Sequence, residues 1–305
     1  MIERTDQADS APILIAHRGF AGENPENTVP AVERAAGVAR GEGSTGGTGS
    51  RRVPAAGRQA DWVEIDAMPT ADGDPVVIHD AALSARGGRG LTDASGVVWE
   101  TDTATVTDAE VLDSGATVPL LVDVLDAVPP DVGVNVELKN PGRWDLRPDE
   151  KLAGDALADR TAAWRPFVER VLDVAEGREN DLLFSSFCEG ALAAVRAVSS
   201  SPVAPLVSES IADGLAIARE HDAVAVHPPI DAIRGTPFFD AERFGNPDGD
   251  DGDDAATGGV DVLDAARDAE LAVNVWTVET WYEADRLAAA GVDGIIADYA
   301  AVLRG

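Results

Sequence analysis

Lysine is nearly missing from this chain. It occurs twice, as Lys139 and Lys151, so 22 of the 24 basic residues are arginine. Sulfur is equally scarce, and a single cysteine, Cys188, excludes an internal disulfide. No run approaches the ~18 uninterrupted apolar residues of a membrane span, which excludes an integral membrane segment. The opening MIERTDQADSAP has neither a basic nor an apolar leader region, so a cytoplasmic protein is expected. Positive charge as a whole is short: 24 Lys plus Arg face 55 Asp plus Glu, a net charge of −31. At 31.7 kDa the folded surface should be about 12,000 Å², or one excess negative charge per roughly 400 Å². Such a surface repels phosphate backbones and anionic head groups, so no nucleic acid or anionic membrane partner is expected. An acidic surface stripped of lysine suits a halophilic protein in a high-salt cytosol, where a Debye length of about 3 Å screens self-repulsion.

What is present is an ordinary apolar content, 45%, enough for a large core. Short Val- and Ile-rich runs predict strands at Ile13–Ala16, Trp62–Asp66, Val76–His79, Val132–Leu138, Leu182–Phe187, Val203–Val207, Ala223–Val226, Ala272–Val278 and Gly294–Ala297. Alanine-rich amphipathic stretches between them predict helices at Val29–Ala39, Phe167–Ala175, Glu189–Ala197, Asp213–Glu220, Val260–Ala269 and Trp281–Ala290. Repeated strand–helix units over about 250 residues predict an α/β fold, a (β/α)8 TIM barrel forming a single domain over 1–305. An open doubly wound sheet is the alternative, but no G-x-G-x-x-G follows the first strand. Only nine residues separate Asp66 from Val76, too few for a crossover helix, and they contain Asp72-Gly73, a hairpin-turn signal. An antiparallel return arm after the second strand is therefore expected, with Asp66 across from His79. Gly41–Gly57 and Asn246–Gly259 read as flexible surface insertions; the second superficially resembles a calcium loop but lacks its spacing.

Chemistry concentrates at predicted strand ends. His17 ends the first strand and His79 the return arm. Glu64 and Asp66, two apart on a strand, share a face, and Glu137 and Lys139 repeat that spacing. Strand C-termini face the mouth of such a barrel, so these groups are expected to converge on one rim. Three carboxylates make a hard-oxygen site for one divalent metal, Mg²⁺ or Ca²⁺. Two histidines can serve as general acid and base, and Arg18 with Lys139 can bind a phosphate. His221 and Cys188 read as structural, His227 as structural or rim-lining, and no G-x-S-x-G surrounds Ser185 or Ser186.

The ordered set His17–Thr28 (HRGFAGENPENT), Glu64-Ile-Asp66, Asp72-Gly73, His79-Asp80, Glu137-Leu-Lys139, Phe184–Phe187, Trp276–Val278 and Gly291–Asp298 resembles the glycerophosphodiester phosphodiesterases. That resemblance implies a metal-dependent enzyme in which Glu64, Asp66 and Glu137 hold the metal. His17 and His79 would be the acid and base, Arg18 and Lys139 would bind the phosphate, and Trp276 would line the substrate pocket. The implied reaction cleaves a small glycerophosphodiester to sn-glycerol 3-phosphate and an alcohol, a glycerol hydroxyl attacking phosphorus to give a cyclic phosphate that water opens. Departures are Ala85 where an arginine is common, Ala297 where threonine is usual, and no proline after Asp298. A related barrel phosphodiesterase or phospholipase acting on another head group, and a catalytically silent phosphodiester-binding protein, remain alternatives.

Overall fold

A computed structural model describes residues 11–38, 58–84, 91–245 and 259–303 of the chain. Almost all of the two predicted insertions, Gly41–Gly57 and Asn246–Gly259, and the departure at Ala85, lie outside the described residues. The strands are β1 (Ile13–His17), β2 (Trp62–Pro69), β3 (Pro75–Val77), β4 (Gly133–Leu138), β5 (Leu182–Ser186), β6 (Val203–Pro205), β7 (Ala225–Val226), β8 (Ala272–Val278) and β9 (Gly294–Ala297). All but β3 pair in parallel, in the order β6-β5-β4-β2-β1-β9-β8-β7. The ring closes between β6 and β7 through a parallel bridge of Leu206 with His227, and Val207 N–H donates to the His227 carbonyl at 3.0 Å. This is the (β/α)8 barrel, its strands buried on both faces and hence continuous apolar runs rather than alternating ones.

Helices α1 (Val29–Ala35), α2 (Thr103–Asp108), α3 (Leu121–Ala127), α4 (Gly154–Ala175), α5 (Glu189–Val198), α6 (Ile211–Glu220), α7 (Ala241–Phe244), α8 (Val262–Asp268) and α9 (Trp281–Ala290) are described around it. Outward strand residues such as Leu14, Val63, Val134 and Phe184 join the helices in one apolar cluster. Inward residues Ile15, Trp62, Leu183, Ala204, Ala225, Ala272 and Ile296 fill the barrel floor. Local sequence explains most helix ends. Thr28 caps α1 through Ala31 N–H with a proline in the first turn, and Thr280 with Glu283 forms a capping box on α9. Gly291 ends α9 at φ +89, a conformation for which glycine is the usual choice.

Three expectations are corrected. Asp66 faces Ile78, whose N–H reaches its carbonyl at 2.9 Å, not His79; Thr70 N–H donates to the Asp74 carbonyl at 3.0 Å, so the loop holds three residues rather than the two of the Asp-Gly signal, which shifts the register by one. α4 starts at Gly154 and runs through Pro166, where a proline ordinarily opens a helix rather than interrupting one. α1 ends at Ala35 instead of Ala39. The excursion between β3 and α3, with α2, has its own small core of Met68, Val76, Ile78, Leu83, Leu91, Val98, Val106, Ala109, Val111 and Val118.

The floor is tight where β4 begins: a Cβ on Gly133 would come within 2.2 Å of the Trp62 indole. Gly133→Ala is expected to destabilise the fold by roughly 1–3 kcal/mol through overpacking, read as a lower denaturant midpoint with unchanged slope. An unchanged midpoint would contradict this packing.

Candidate active site

The upper, C-terminal ends of the strands bring the predicted residues together. A pocket of about 530 Å³, open to solvent, is lined by His17, Arg18, Glu64, His79, Glu137, Lys139 and Trp276, with Phe187, Leu206 and Asn135 completing its wall and floor. Glu64, Asp66 and Glu137 each offer a carboxylate oxygen within 4.8 Å of the others, and all three are buried. Asp66 lies deepest, behind the pocket wall, held by Asn27 Nδ2 at 2.8 Å, Arg18 Nε at 3.2 Å and Lys139 Nζ at 3.4 Å. Lys139 Nζ also donates to Glu137 Oε1 at 2.8 Å, and Arg18 N–H donates to Glu64 Oε2 at 3.0 Å.

Burial opposes ionisation of every one of these acids, and their neighbours decide the outcome. Glu64 is pushed well above the ordinary carboxylate range by burial and by Asp66 and Glu137. Glu137 is raised by burial and Asp66, although Lys139 draws it back. Asp66 is equally buried, yet Lys139 and Arg18 hold it below the usual range. Both cations are stabilised in the charged form: burial alone would lower them, and the surrounding carboxylates more than reverse that.

The donor set fits a divalent cation. Glu64 Oε1 is buried without a hydrogen-bond partner, and Asp66 Oδ1 has none beyond its 3.4 Å ion pair with Lys139, a costly state that coordination would relieve. Counted formally, the four carboxylates in this cluster (Glu26 included) exceed the two cations by two charges, which one divalent ion would cancel. A second acidic group, Glu189, Glu220 and His221, is filled instead by Lys151, whose Nζ lies 2.8 Å from Glu189 and 2.6 Å from Glu220. His221 Nε2 sits 2.9 Å from Glu189, the structural role expected for it.

Both pocket histidines are oriented by a carboxylate. His17 Nδ1 lies 2.6 Å from Asp298 Oδ1 and His79 Nδ1 lies 2.7 Å from Asp80 Oδ1. Burial lowers His79 from its ordinary value, with Asp66 opposing. His227 does not line the rim. It is fully buried, pushed down to about 3 by burial, and takes the Asn274 amide at 3.0 Å while its carbonyl anchors Trp276 Nε1 at 2.7 Å. Trp276 meets Phe187 edge-on, with ring centroids 5.5 Å apart, as an apolar side of the pocket. Burial pushes the Cys188 thiol up to about 12, so it is an inert packing residue.

Sequence reasoning gave no role to Glu26, Asn27, Asp80 or Asp298. Glu26 accepts from Arg18 Nη1 at 3.0 Å, and Asn27 brackets Asp66 with both ends of its amide. Asp80 is signalled by adjacency to His79, and Glu26 with Asn27 by their place in the His17–Thr28 run. Nothing local joins Asp298 to His17.

One end of the (β/α)8 barrel thus gathers three buried carboxylates, two cations and two carboxylate-paired histidines. A model of the glycerophosphoryl diester phosphodiesterase family matches residues 54–302, and the chain belongs to that family. It is similar to a Bacillus subtilis protein, YqiK, 37% identical over 134 residues, and to a glycerophosphodiester phosphodiesterase of Bacillus altitudinis, 33% identical over 135 residues. Each match spans 42% of this chain and 45% of the relative, so the matched part is less than half of those proteins. The fold is similar to that of an Oleispira antarctica phosphodiesterase in complex with the product sn-glycerol-3-phosphate, at TM-score 0.65 and 22% identity over 95% of this chain and 94% of that one. It is likewise similar to the Thermotoga maritima glycerophosphodiester phosphodiesterase, at TM-score 0.60 and 21% identity over 95% of both chains.

Because Glu64 and Glu137 are raised, protons compete with a divalent cation for them at higher pH than for an ordinary glutamate. Affinity should therefore fall on acidification from a pH well above the ~4.3 midpoint of an ordinary glutamate. Titration calorimetry in buffers of differing ionisation enthalpy should read proton release on metal uptake, and release should be smaller in Glu64→Gln, where Glu137 is left as the raised glutamate of the set. Uptake without proton release would contradict the raised carboxylates.

Proposed function

We propose that the whole chain acts as one catalytic unit, a glycerophosphodiester phosphodiesterase. The observation that carries this reading is the meeting of two carboxylate-paired histidines, three clustered carboxylates and two buried cations around one pocket. Glu64, Asp66 and Glu137 would hold one Mg²⁺ or Ca²⁺. Bound there, the cation supplies charge stabilisation to the phosphoryl oxygens. Arg18 and Lys139 face the remaining phosphate charge. Glu26 and Asp66 hold the guanidinium in place, so little ordering is left for substrate to impose. Phe187 and Trp276 offer the apolar wall against which the glycerol carbons lie.

The proton inventory then closes on two side chains. One histidine takes the proton of the glycerol hydroxyl as its oxygen attacks phosphorus. The bond from phosphorus to the alcohol oxygen breaks, and the other histidine gives that oxygen its proton. Water opens the resulting cyclic phosphate with the two roles exchanged. The acidic, lysine-poor composition supports working conditions of high salt, in a cytosol.

Hydrolysis of glycerophosphocholine, glycerophosphoethanolamine and glycerophosphoglycerol, measured in molar KCl with Mg²⁺ or Ca²⁺ against EDTA, tests the reading. Metal-dependent release of glycerol phosphate is expected, falling ~10²–10⁴-fold in His17→Ala and in His79→Ala. Turnover confined to other phosphodiesters would assign a different head group. Ligand binding with no turnover by folded protein would assign a binding protein and overturn the proposal.

A further inference from the structure

The last stretch of the resemblance, Gly291–Asp298, has no part in the chemistry so far, yet it ends on the carboxylate beside His17. The β1–β9 ladder pairs Ile15 with Ile296 and Ala16 with Ala297. One step further sets His17 next to Asp298, and alternation turns both side chains to the inner face. Asp298 Oδ1 then stands 2.6 Å from His17 Nδ1. An ionised carboxylate only accepts, so Nδ1 carries the hydrogen. In the neutral ring the lone pair then falls on the other nitrogen, Nε2, which lies 4.0 Å from Glu64 Oε2.

Asp298 is itself held from two sides. Its N–H donates to the Val278 carbonyl at 3.2 Å, and its carbonyl accepts from Gly22 N–H at 3.0 Å. Next door, Ala300 N–H donates to Glu23 Oε1 at 2.8 Å. Tyr299 packs so closely on Gly22 that a Cβ there would meet its ring at 2.3 Å. The loop carrying Arg18, Glu26 and Asn27 is thus fastened to the end of β9, and the carboxylate at that seam is the one that meets His17.

We propose that Asp298 is a positioning residue that fixes the ring orientation and tautomer of His17, so that Nε2 is the nitrogen offered to substrate. The inference rests on His17 being catalytic, as in the function proposed above. Asp298→Asn replaces an acceptor by a group that can donate to Nδ1 and favour the opposite tautomer. In the metal-loaded enzyme, kcat should fall ~10²–10⁴-fold, while KM and metal affinity stay within a small factor. Asp298→Glu should restore part of the loss. In a His17→Ala background, Asp298→Asn should cost nothing further, because its effect runs through a ring that is gone. Nitrogen-15 spectra of the histidines should show His17 protonated at Nδ1 in the unaltered protein, and at Nε2 in Asp298→Asn.

Full kcat in Asp298→Asn beside an inactive His17→Ala would overturn the proposal and leave the proposed function standing. So would an additional loss in the double variant, or a fall in metal affinity that matches the fall in kcat. Turnover undiminished in His17→Ala would instead remove the proposed function, and with it the basis of this inference. Should Asp298→Asn fail to fold, the spectrum of the unaltered protein and the kinetics of Asp298→Glu decide: an Nε2-protonated His17 would count against it.

Discussion

Three carboxylates buried side by side are the constraint around which the upper barrel is arranged. At 4.8 Å and an effective dielectric constant of ~20, each ionised pair repels by about 3–4 kcal/mol, and burial adds to the cost. The fold meets this with an arginine and an asparagine from the loop between β1 and α1 and a lysine that follows β4. Arg18 stands in a left-handed conformation, φ +51, that aims its N–H at Glu64 while its guanidinium reaches Glu26 and Asp66. Lys139 directly follows β4, and Asn27 directly precedes Thr28, the N-cap of α1. Asp66 is held ionised by these partners, whereas Glu64 and Glu137 remain short of compensation. That imbalance is what a divalent cation would remove.

The same constraint gives meaning to the near-absence of lysine. Both lysines of the chain contact buried carboxylates: Lys139 with Glu137 and Asp66, Lys151 with Glu189. Surface positions, where lysine is ordinarily common, are given to acids and arginine. A compact ammonium serves at the two places where a point charge must enter a confined acidic group. The pocket consequently keeps cationic groups within a strongly anionic molecule.

The barrel was legible because parallel strands covered on both faces leave uninterrupted Val- and Ile-rich runs, and because the Asp66–Val76 connection was too short for a helix. The register of that return arm was off by one residue, since turn chemistry in sequence does not count ladder pairs. α2 and α3 went unseen; each is six or seven residues long and depends on packing more than on periodicity. In the site, residues could be placed from spacing and strand ends: Glu64 with Asp66, Glu137 with Lys139, and His17 at the end of β1; His79, expected at the end of the return arm, lies two residues beyond β3. Asn27 and Glu26 stood in plain view, but their roles depend on left-handed turns at Arg18, Phe20 and Asn27. Asp298 is 281 residues from His17, and only closure of the sheet by β9 brings the two together.

In the proposed enzyme, the carboxylates of Glu64, Asp66 and Glu137 form a metal site beside Arg18 and Lys139. The most direct test of that site is a crystal structure grown with Mn²⁺ and sn-glycerol 3-phosphate, with the metal located by anomalous scattering. The account predicts one peak at about 2.0–2.6 Å from oxygens of all three residues, with the phosphate against Arg18 and Lys139. A peak confined to the Glu189–Glu220–His221 group, or none at saturating Mn²⁺, would contradict it.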